Sequence, residues 1–210
     1  MPGLPNHDFA SMTVRGFCEA LAARSPTPGG GAAAGVCAAQ AAALLAMAVE
    51  FSKGKKSFAG FESSADDMLT EIRILMDSAL VGARNDSDAY GALSALWKKP
   101  EGDPERTAHW TAAVRGAIAA PDFLLALASD ITGRCALIAG TNAKHLDSDL
   151  RVAADLAGCA ARAAASNVRA NVPFLASEAD RAKVLASIDT RLASVAADLE
   201  AVERGLRRDG

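Results

Sequence analysis

The residues best suited to chemistry in this sequence form a short polar run, residues 85–90, inside a strongly periodic apolar stretch. Asp86 and Tyr90 are four residues apart, so on a helix they share one face, and Gly91 beside them leaves room for a ligand. Asparagine and aspartate are not selected in helix interiors for their propensity. Solvent exposure explains one of the two carboxylates of the run, and several polar residues in a row within so apolar a helix suggest a functional role without specifying it.

A second pair of polar residues, Ser148 and Asp149, follows Asp147 at the start of another predicted helix. Capping of the helix is the ordinary explanation for these residues and is favoured over catalysis by this pattern alone. His145 precedes Asp149 by four residues and can pair with it. The three histidines have no metal-ligand spacing, so we predict no metal site.

A local basic cluster, Lys53, Lys55 and Lys56, directly follows a predicted apolar helix. Cations at the C-terminal end of a helix complement its dipole, which is the favoured explanation. The functional alternative is an anion site for a carboxylate or phosphate.

Two amides, Asn167 and Asn171, are four residues apart late in an alanine-rich helix, so they face the same way. Buried amides need hydrogen-bond partners. Their amide groups can hydrogen-bond the edge of a heterocyclic ligand or join two helices, and joining helices is the more common role of such amides. The sequence contains no P-loop, Rossmann glycine pattern, Ser/His/Asp order or zinc pattern.

The stretch 25–35 contains two prolines, Pro26 and Pro28, followed by Gly29, Gly30 and Gly31. The prolines make a stiff turn that ends the preceding helix. The glycines open the next helix, where free N–H groups and the dipole attract an anion. The alternative is that small residues let another helix approach closely. Packing is the firmer prediction, and a ligand role stays open on this stretch alone.

The remaining elements are predicted to be helical throughout, because apolar residues recur at helical spacing and no strand-like alternation occurs. The chain is therefore predicted to be an all-α, single-domain helical bundle with long antiparallel helices. The predicted helices are 13–24, 31–52, 64–97, 104–120, 121–140, 148–172 and a last one capped at Ser177.

The composition indicates closely packed helices. Half of the 210 residues are apolar, but only 5% are aromatic and alanine is abundant. Alanine favours helix yet buries little area, so we expect a dimer interface between helices to supply further burial. Residues 1–12 are predicted to be a flexible tail and 13–207 the domain.

The net charge of −3 gives no basic field for nucleic acid. The four cysteines, scattered within apolar helical runs, are predicted to be buried reduced thiols, which indicates the cytoplasm. The N-terminus lacks the pattern of a signal peptide. Residues 29–49 are long enough to span a bilayer but only weakly hydrophobic, so we predict a buried helix and no membrane partner.

Taken together, these motifs resemble the formimidoyltetrahydrofolate cyclodeaminase / methenyltetrahydrofolate cyclohydrolase family. The resemblance extends in order from about residue 13 to about residue 206. It rests on the sequences at 26–31, 54–58, 86–90, 148–149 and 167–171.

The resemblance implies an all-helical homodimer with a folate site near the dimer interface. The sequence indicates no tightly bound cofactor, and the expected chemistry needs none. The resemblance also implies Asp86 and Asp149 as catalytic carboxylates. The substrate-binding residues that it implies are Pro28, Gly29, Gly30, Gly31, Lys55, Lys56, Tyr90, Ser148, Asn167 and Asn171.

Three departures from the family pattern bear on substrate preference and activity. Ala32 stands where many members have serine, and Asn142 lies one residue farther from Asp149 than in the family pattern. The sequence at 97–100, Trp-Lys-Lys-Pro, replaces the family's Leu-Pro-Lys.

The first expected activity is hydrolysis of 5,10-methenyltetrahydrofolate to 10-formyltetrahydrofolate, with one of the two aspartates as base and a lysine holding an anionic part of the folate. The alternative is cyclodeamination of 5-formimidoyltetrahydrofolate with release of ammonia. An alternative of another class is a non-catalytic, folate-binding or scaffold helical dimer.

Overall fold

The computed structural model describes residues 8–207. These residues form six α-helices joined by short turns and three 3₁₀ segments. The helices are α1 (Val14–Ala22), α2 (Gly30–Ser52), α3 (Ala65–Trp97), α4 (Pro104–Ile138), α5 (Asp147–Asn171) and α6 (Glu178–Leu206). The described part of the chain contains no strand, which confirms the all-α prediction.

Helices α2 to α5 form an antiparallel four-helix bundle. Each of them packs against its two neighbours in the order α2, α3, α4, α5, and α5 closes the ring against α2. The last helix, α6, lies outside this ring over α4 and α5. The start of α2 and the end of α5 therefore lie at one end of the bundle, which we call the glycine end. The end of α2 and the start of α5 lie at the opposite end.

Small residues set the spacing between α2 and α3. A Cβ atom added to Gly35 would lie 2.8 Å from the backbone oxygen of Ala79 and 2.7 Å from the Cβ of Ala83. Both distances are shorter than carbon atoms tolerate, so only glycine permits this approach. Most of the remaining buried positions of α2 are alanine. The packing role predicted for the small residues of α2 is therefore confirmed.

Three predicted helix caps are present, whereas α5 begins at Asp147 with no side-chain cap hydrogen bond, so the capping role favoured for Ser148 and Asp149 is wrong. Thr13 accepts a hydrogen bond from the backbone N–H of Gly16, and Asp103 accepts from Glu105 and Arg106. Ser177 accepts from Asp180 in the same way. Each of these side chains satisfies a backbone N–H group that has no partner inside its helix.

The predicted break at Pro121 is wrong. Helix α4 continues from Pro104 to Ile138 with Pro121 in its interior. Proline is favoured at the first position of a helix, so the sequence pattern alone pointed to a new helix. The apolar residues around Pro121 are buried on both sides of it, and their packing against α3 and α5 holds the helix together across the lost hydrogen bond.

An aromatic cluster closes the glycine end of the bundle. The rings of Trp97 and Phe174 meet edge to face with centroids 4.7 Å apart, and Trp110 lies 5.9 Å from Trp97. These residues come from the end of α3, the start of α4 and the segment after α5. The cluster therefore ties together three elements near the cavity described below.

The N-terminal segment and the cysteines differ in part from expectation. Phe9 is buried against Phe17, while residues 1–7 of the predicted tail lie outside the described residues. The division of the chain at residue 12 stays a prediction.

All four cysteines are free, as predicted, but only Cys135 is buried. The predicted burial is wrong for Cys18 and Cys159, because their helix faces point outward from the bundle.

Two described helices, α2 and α4, are long and apolar enough to cross a membrane by length and composition. About half of each apolar stretch is buried inside the protein, 56% in α2 and 44% in α4. A core helix of a bundle has the same length and composition.

Candidate active site

A cavity of about 310 Å³ at the glycine end collects most of the predicted site residues. The turn before α2 forms one wall, and α3, α4 and α5 form the others. The cavity is lined by Pro26, Thr27, Gly29, Gly30, Gly31, Asp86, Tyr90, Ala117, Asn167, Ala170 and Asn171. We call it the Asp86 cavity.

The glycine turn allows Asp86 to lie against the start of α2. A Cβ atom added to Gly31 would overlap all three outer atoms of the Asp86 carboxyl group. A Cβ at Gly30 would come within 3.4 Å of Asn167 Oδ1. Gly31 is therefore needed for the close approach to α3, whereas a methyl group at Gly30 would make only an ordinary contact with α5.

Burial changes the acid–base character of Asp86. Withdrawal of the carboxyl group from water raises the pKa of Asp86 from 3.8 to about 6, because the charged form loses hydration. No ion pair or hydrogen bond to Asp86 occurs in the described part of the chain that offsets this loss. A carboxyl group with a pKa near 6 exchanges protons readily at neutral pH, which suits a general base or acid.

The two predicted amides lie together in this cavity. Asn167 Nδ2 donates to the Ala163 carbonyl at 3.0 Å, and Asn171 Nδ2 donates to the Ala117 carbonyl at 2.9 Å. Asn171 therefore joins α5 to α4 and also lines the cavity. The predicted role of joining two helices is confirmed for Asn171, and a contact of this pair with a ligand stays a prediction.

Not all of the remaining predicted residues of the glycine turn and α3 line the Asp86 cavity. Tyr90 lines the cavity one helical turn after Asp86, as their spacing predicted. Gly29 also lines the cavity, whereas Pro28 is absent from its lining. Thr27, which the sequence did not single out, is buried there instead.

Four other predicted residues lie at the opposite end of the bundle. Lys55 and Lys56 are exposed just after α2, and neither forms an ion pair with another described residue. Ser148 is exposed and Asp149 is partly buried in the first turn of α5.

The structure therefore does not bring Asp86 and Asp149 together within one chain. Asn167, which lines the Asp86 cavity, follows Asp149 by eighteen residues on the straight course of α5. At 1.5 Å per residue this spacing is about 27 Å. The expectation that both carboxylates meet at one site is met by this geometry only if Asp149 comes from another copy of the chain.

The opposite end is organised by contacts that the sequence analysis did not predict. Ser52 is buried at the end of α2, donates to the Ala48 carbonyl at 2.6 Å and accepts from the backbone N–H of Ala143 at 2.8 Å. Asn142 donates to Asp147 at 3.0 Å. These contacts hold the start of α5 against the end of α2. His145 contacts the Phe51 ring, and the expected pairing with Asp149 is not among the contacts of the described residues.

Two grooves of the described structure are larger than the Asp86 cavity, but their linings suit chemistry less. One, of about 440 Å³ between α5 and α6, is lined by Arg151 and Glu203, which pair with each other at 2.6 Å. The other, of about 460 Å³ between α4 and α6, is open and mainly apolar. The Asp86 cavity alone among these three contains a partly buried carboxyl group with a raised pKa.

The chain is similar to several characterised proteins. It is 28% identical over 189 residues to a methenyltetrahydrofolate cyclohydrolase of Methylorubrum extorquens, with 88% of this chain and 91% of the relative covered. It is 31% identical over 144 residues to a formimidoyltransferase-cyclodeaminase of Dictyostelium discoideum, covering 69% of this chain. The match covers only 27% of that longer relative.

The fold is likewise similar to a solved structure. A crystal structure of formiminotetrahydrofolate cyclodeaminase from Thermotoga maritima superposes with a TM-score of 0.85 at 25% identity, covering 94% of this chain and 96% of the other. Residues 13–190 match the family model described as formiminotransferase-cyclodeaminase. The chain therefore belongs to the formiminotransferase-cyclodeaminase family.

Proposed function

We propose that the chain is a methenyltetrahydrofolate cyclohydrolase, which hydrolyses 5,10-methenyltetrahydrofolate to 10-formyltetrahydrofolate. The observation that carries the proposal is the partly buried carboxyl group of Asp86, with its raised pKa, in a glycine-walled cavity. The substrate carbon belongs to a positively charged amidinium group. A carboxylate in a site of low water content stabilises such a cation strongly.

In the proposed reaction, Asp86 accepts a proton from a water molecule as its oxygen bonds to the methenyl carbon. The resulting tetrahedral adduct is neutral at the former amidinium. Its bond from carbon to N5 then breaks as the hydroxyl group loses its proton and becomes the formyl carbonyl, N5 receives a proton, and the formyl group stays on N10. The sum is one substrate cation and one water giving one formyl product and one released proton.

Cyclodeamination of 5-formimidoyltetrahydrofolate is the second candidate activity. There N10 attacks the same carbon and ammonia leaves, so the carboxylate and the cavity serve equally. The names of the Thermotoga maritima structure and of the Dictyostelium discoideum relative favour this candidate. The name of the Methylorubrum extorquens relative, which the chain covers almost completely, favours the hydrolase.

A homodimer completes the proposed site. Helix α2 keeps an apolar stripe between Val36 and Phe51, formed by Val36, Ala43, Leu44, Met47 and Phe51 and interrupted by the exposed Gln40. Helix α5 continues the apolar surface beside it, where Val152 is 48% exposed. Phe51, near the end of α2, is 56% exposed, so the stripe is open to solvent as far as the end of the bundle opposite the glycine end. Unpartnered apolar surface of this extent supports an interface.

A two-fold axis across this stripe supports a shared site. Isologous pairing of antiparallel stripes brings the glycine end of one copy beside the opposite end of its partner. Asp149 and Ser148 of the second copy then face the Asp86 cavity, and Lys55 and Lys56 supply positive charge for an anionic part of the folate. The dimer thus accounts for site residues that lie about 30 Å apart along one chain.

The deciding experiment gives both substrates to the purified protein. Loss of the methenyl chromophore with one formyl product per turnover supports the hydrolase, and release of ammonia from the formimidoyl substrate supports the cyclodeaminase. Binding of folate without either turnover would support the non-catalytic dimer instead. Asp86→Asn is the matched control, since it keeps the size of the side chain and removes the base.

The proposal includes a cytoplasmic location and no tightly bound cofactor. The reaction as written needs water, the folate substrate and side chains of the protein. Neither nucleic acid nor a membrane takes part in it.

A further inference from the structure

Pro121 lies in the interior of α4, opposite the end of α5. Proline has no N–H group, so the carbonyl of Ala117, four residues earlier, receives no helical hydrogen bond from this position. The Asn171 side chain supplies a donor in its place, with Nδ2 2.9 Å from the Ala117 oxygen. The helix irregularity and the cavity residue are thus joined by one hydrogen bond.

Both amide hydrogens of Asn171 are committed to backbone carbonyls. Besides Ala117, Nδ2 donates to the Asn167 carbonyl at 3.1 Å. Two carbonyl acceptors fix which way the amide is turned, because an oxygen facing them would be repelled. Asn171 is 7% exposed and lines the Asp86 cavity, and no described residue donates to its Oδ1.

Asn167 is held by one such hydrogen bond a turn earlier. Its Nδ2 donates to the Ala163 carbonyl at 3.0 Å, and its amide group lies beside Gly30. The cavity therefore offers two amide oxygens and the Asp86 carboxylate as hydrogen-bond acceptors. Such a lining fits a ligand surface that carries N–H donors.

We infer that Pro121 is a positioning residue, which frees the Ala117 carbonyl to hold Asn171 so that Asn171 Oδ1 accepts an N–H group of the substrate. The matching donors are on the amino-substituted ring of the tetrahydrofolate derivative, so this inference rests on the proposed function. It goes further by stating which part of the folate enters beside Asn171.

The test substitutes Pro121→Ala. An alanine restores the helical N–H to Ala117 and relieves the crowding by the proline ring, so α4 straightens and the Ala117 carbonyl turns back along its own helix. The expected result is a rise in KM of about fivefold, the size of one neutral hydrogen bond, with kcat changed less and thermal stability kept or raised. An unchanged KM would overturn the inference.

A double substitution separates positioning from general structure. If Pro121 acts through Asn171, Pro121→Ala has no further effect on KM in a chain that already carries Asn171→Ala. If the two effects multiply, Pro121 does not act through Asn171 and the inference fails. Pro104→Ala, at the start of the same helix and away from the cavity, is the control and should leave KM unchanged. Pro121→Val restores the same N–H and repeats the test if the alanine variant folds poorly.

A measurement without substrate distinguishes this inference from the proposed function. The side-chain amide signals of Asn171, identified in nuclear magnetic resonance spectra by their loss in Asn171→Ala, should exchange slowly with water in the wild type and faster in Pro121→Ala. If they do so while neither folate substrate is turned over, the proposed function fails and the positioning by Pro121 stands. If they are identical in the two proteins, the positioning fails whatever the activity.

Discussion

The carboxyl group of Asp86 occupies the space that a side chain at Gly31 would need. This contact joins the first turn of α2 to the middle of α3. It also excludes water from one side of the carboxylate, which contributes to the raised pKa of Asp86. The glycine turn and Asp86 therefore act together, because the turn lets the carboxyl group lie against α2 and shields one side of it from water.

Gly31→Ala should reduce activity far more than stability. The new methyl group must push the Asp86 carboxyl group aside by rotation of its side chain, since that group is the neighbouring part free to move. We expect turnover to fall about a hundredfold, comparable with loss of a general base, while the melting temperature changes by a few degrees.

The control for this substitution is Gly60→Ala. Nothing lies within 4 Å of a Cβ added at Gly60, so turnover and melting temperature should both stay near those of the wild type. Equal turnover in Gly31→Ala and Gly60→Ala would contradict the role given to the contact between Gly31 and Asp86.

Gly35→Ala should reduce stability more than activity, in contrast to Gly31→Ala. The added methyl group meets the backbone oxygen of Ala79, which cannot turn away, so α2 and α3 must separate. We expect a loss of about 1–3 kcal/mol in the free energy of unfolding, typical of overpacking in a core. Chemical denaturation measures this loss, and a stability within 0.5 kcal/mol (roughly the error expected for a surface change) would contradict the close approach.

The contribution of Asp86 to the stability of the protein should become less favourable as the pH rises. Its pKa is raised from 3.8 to about 6, so the ionised form is disfavoured in the fold. The penalty is complete above pH 6 and disappears as the pH falls from about 6 to below 3.8. It amounts to about 3 kcal/mol at most, since one pKa unit corresponds to about 1.4 kcal/mol.

Comparison with Asp86→Asn isolates this effect from other titrating groups. The variant should be more stable than the wild type at pH 7.5 (roughly neutral, above the folded pKa), and the difference should shrink on acidification. For the wild type, kcat/KM should fall with an apparent pKa of about 6 as Asp86 becomes protonated. A constant difference in stability between the two proteins across this range would contradict the burial of the carboxylate.

The sequence predicted the helices well because their signals are local. Thr13, Asp103 and Ser177 cap helices where the pattern placed them, and the spacing of Asp86 and Tyr90 put both in one cavity. Pro121 was misread because its local preference favours a helix start. The packing of α4 against α3 and α5 overrides that preference, and no local pattern reports such packing.

The layout of the site could be predicted only in part. The motifs indicated which residues to consider, but no spacing in sequence reports which end of a bundle a residue reaches. Asp149 and Asn167 lie on one helix, yet only Asn167 lines the Asp86 cavity. The contact between Asn171 and the Ala117 carbonyl joins residues 54 positions apart, which sequence patterns do not reveal.

Subunit exchange between two inactive variants tests the central claim most directly. Asp86→Asn and Asp149→Asn should each lose most of their turnover of 5,10-methenyltetrahydrofolate. Mixing equal amounts and allowing exchange should then restore about a quarter of wild-type activity, because half of the dimers carry one intact site of two. A mixture of Asp86→Asn with the double variant lacking both aspartates should stay inactive. Full activity of Asp149→Asn alone, or no recovery in the first mixture, would contradict a site shared between two copies.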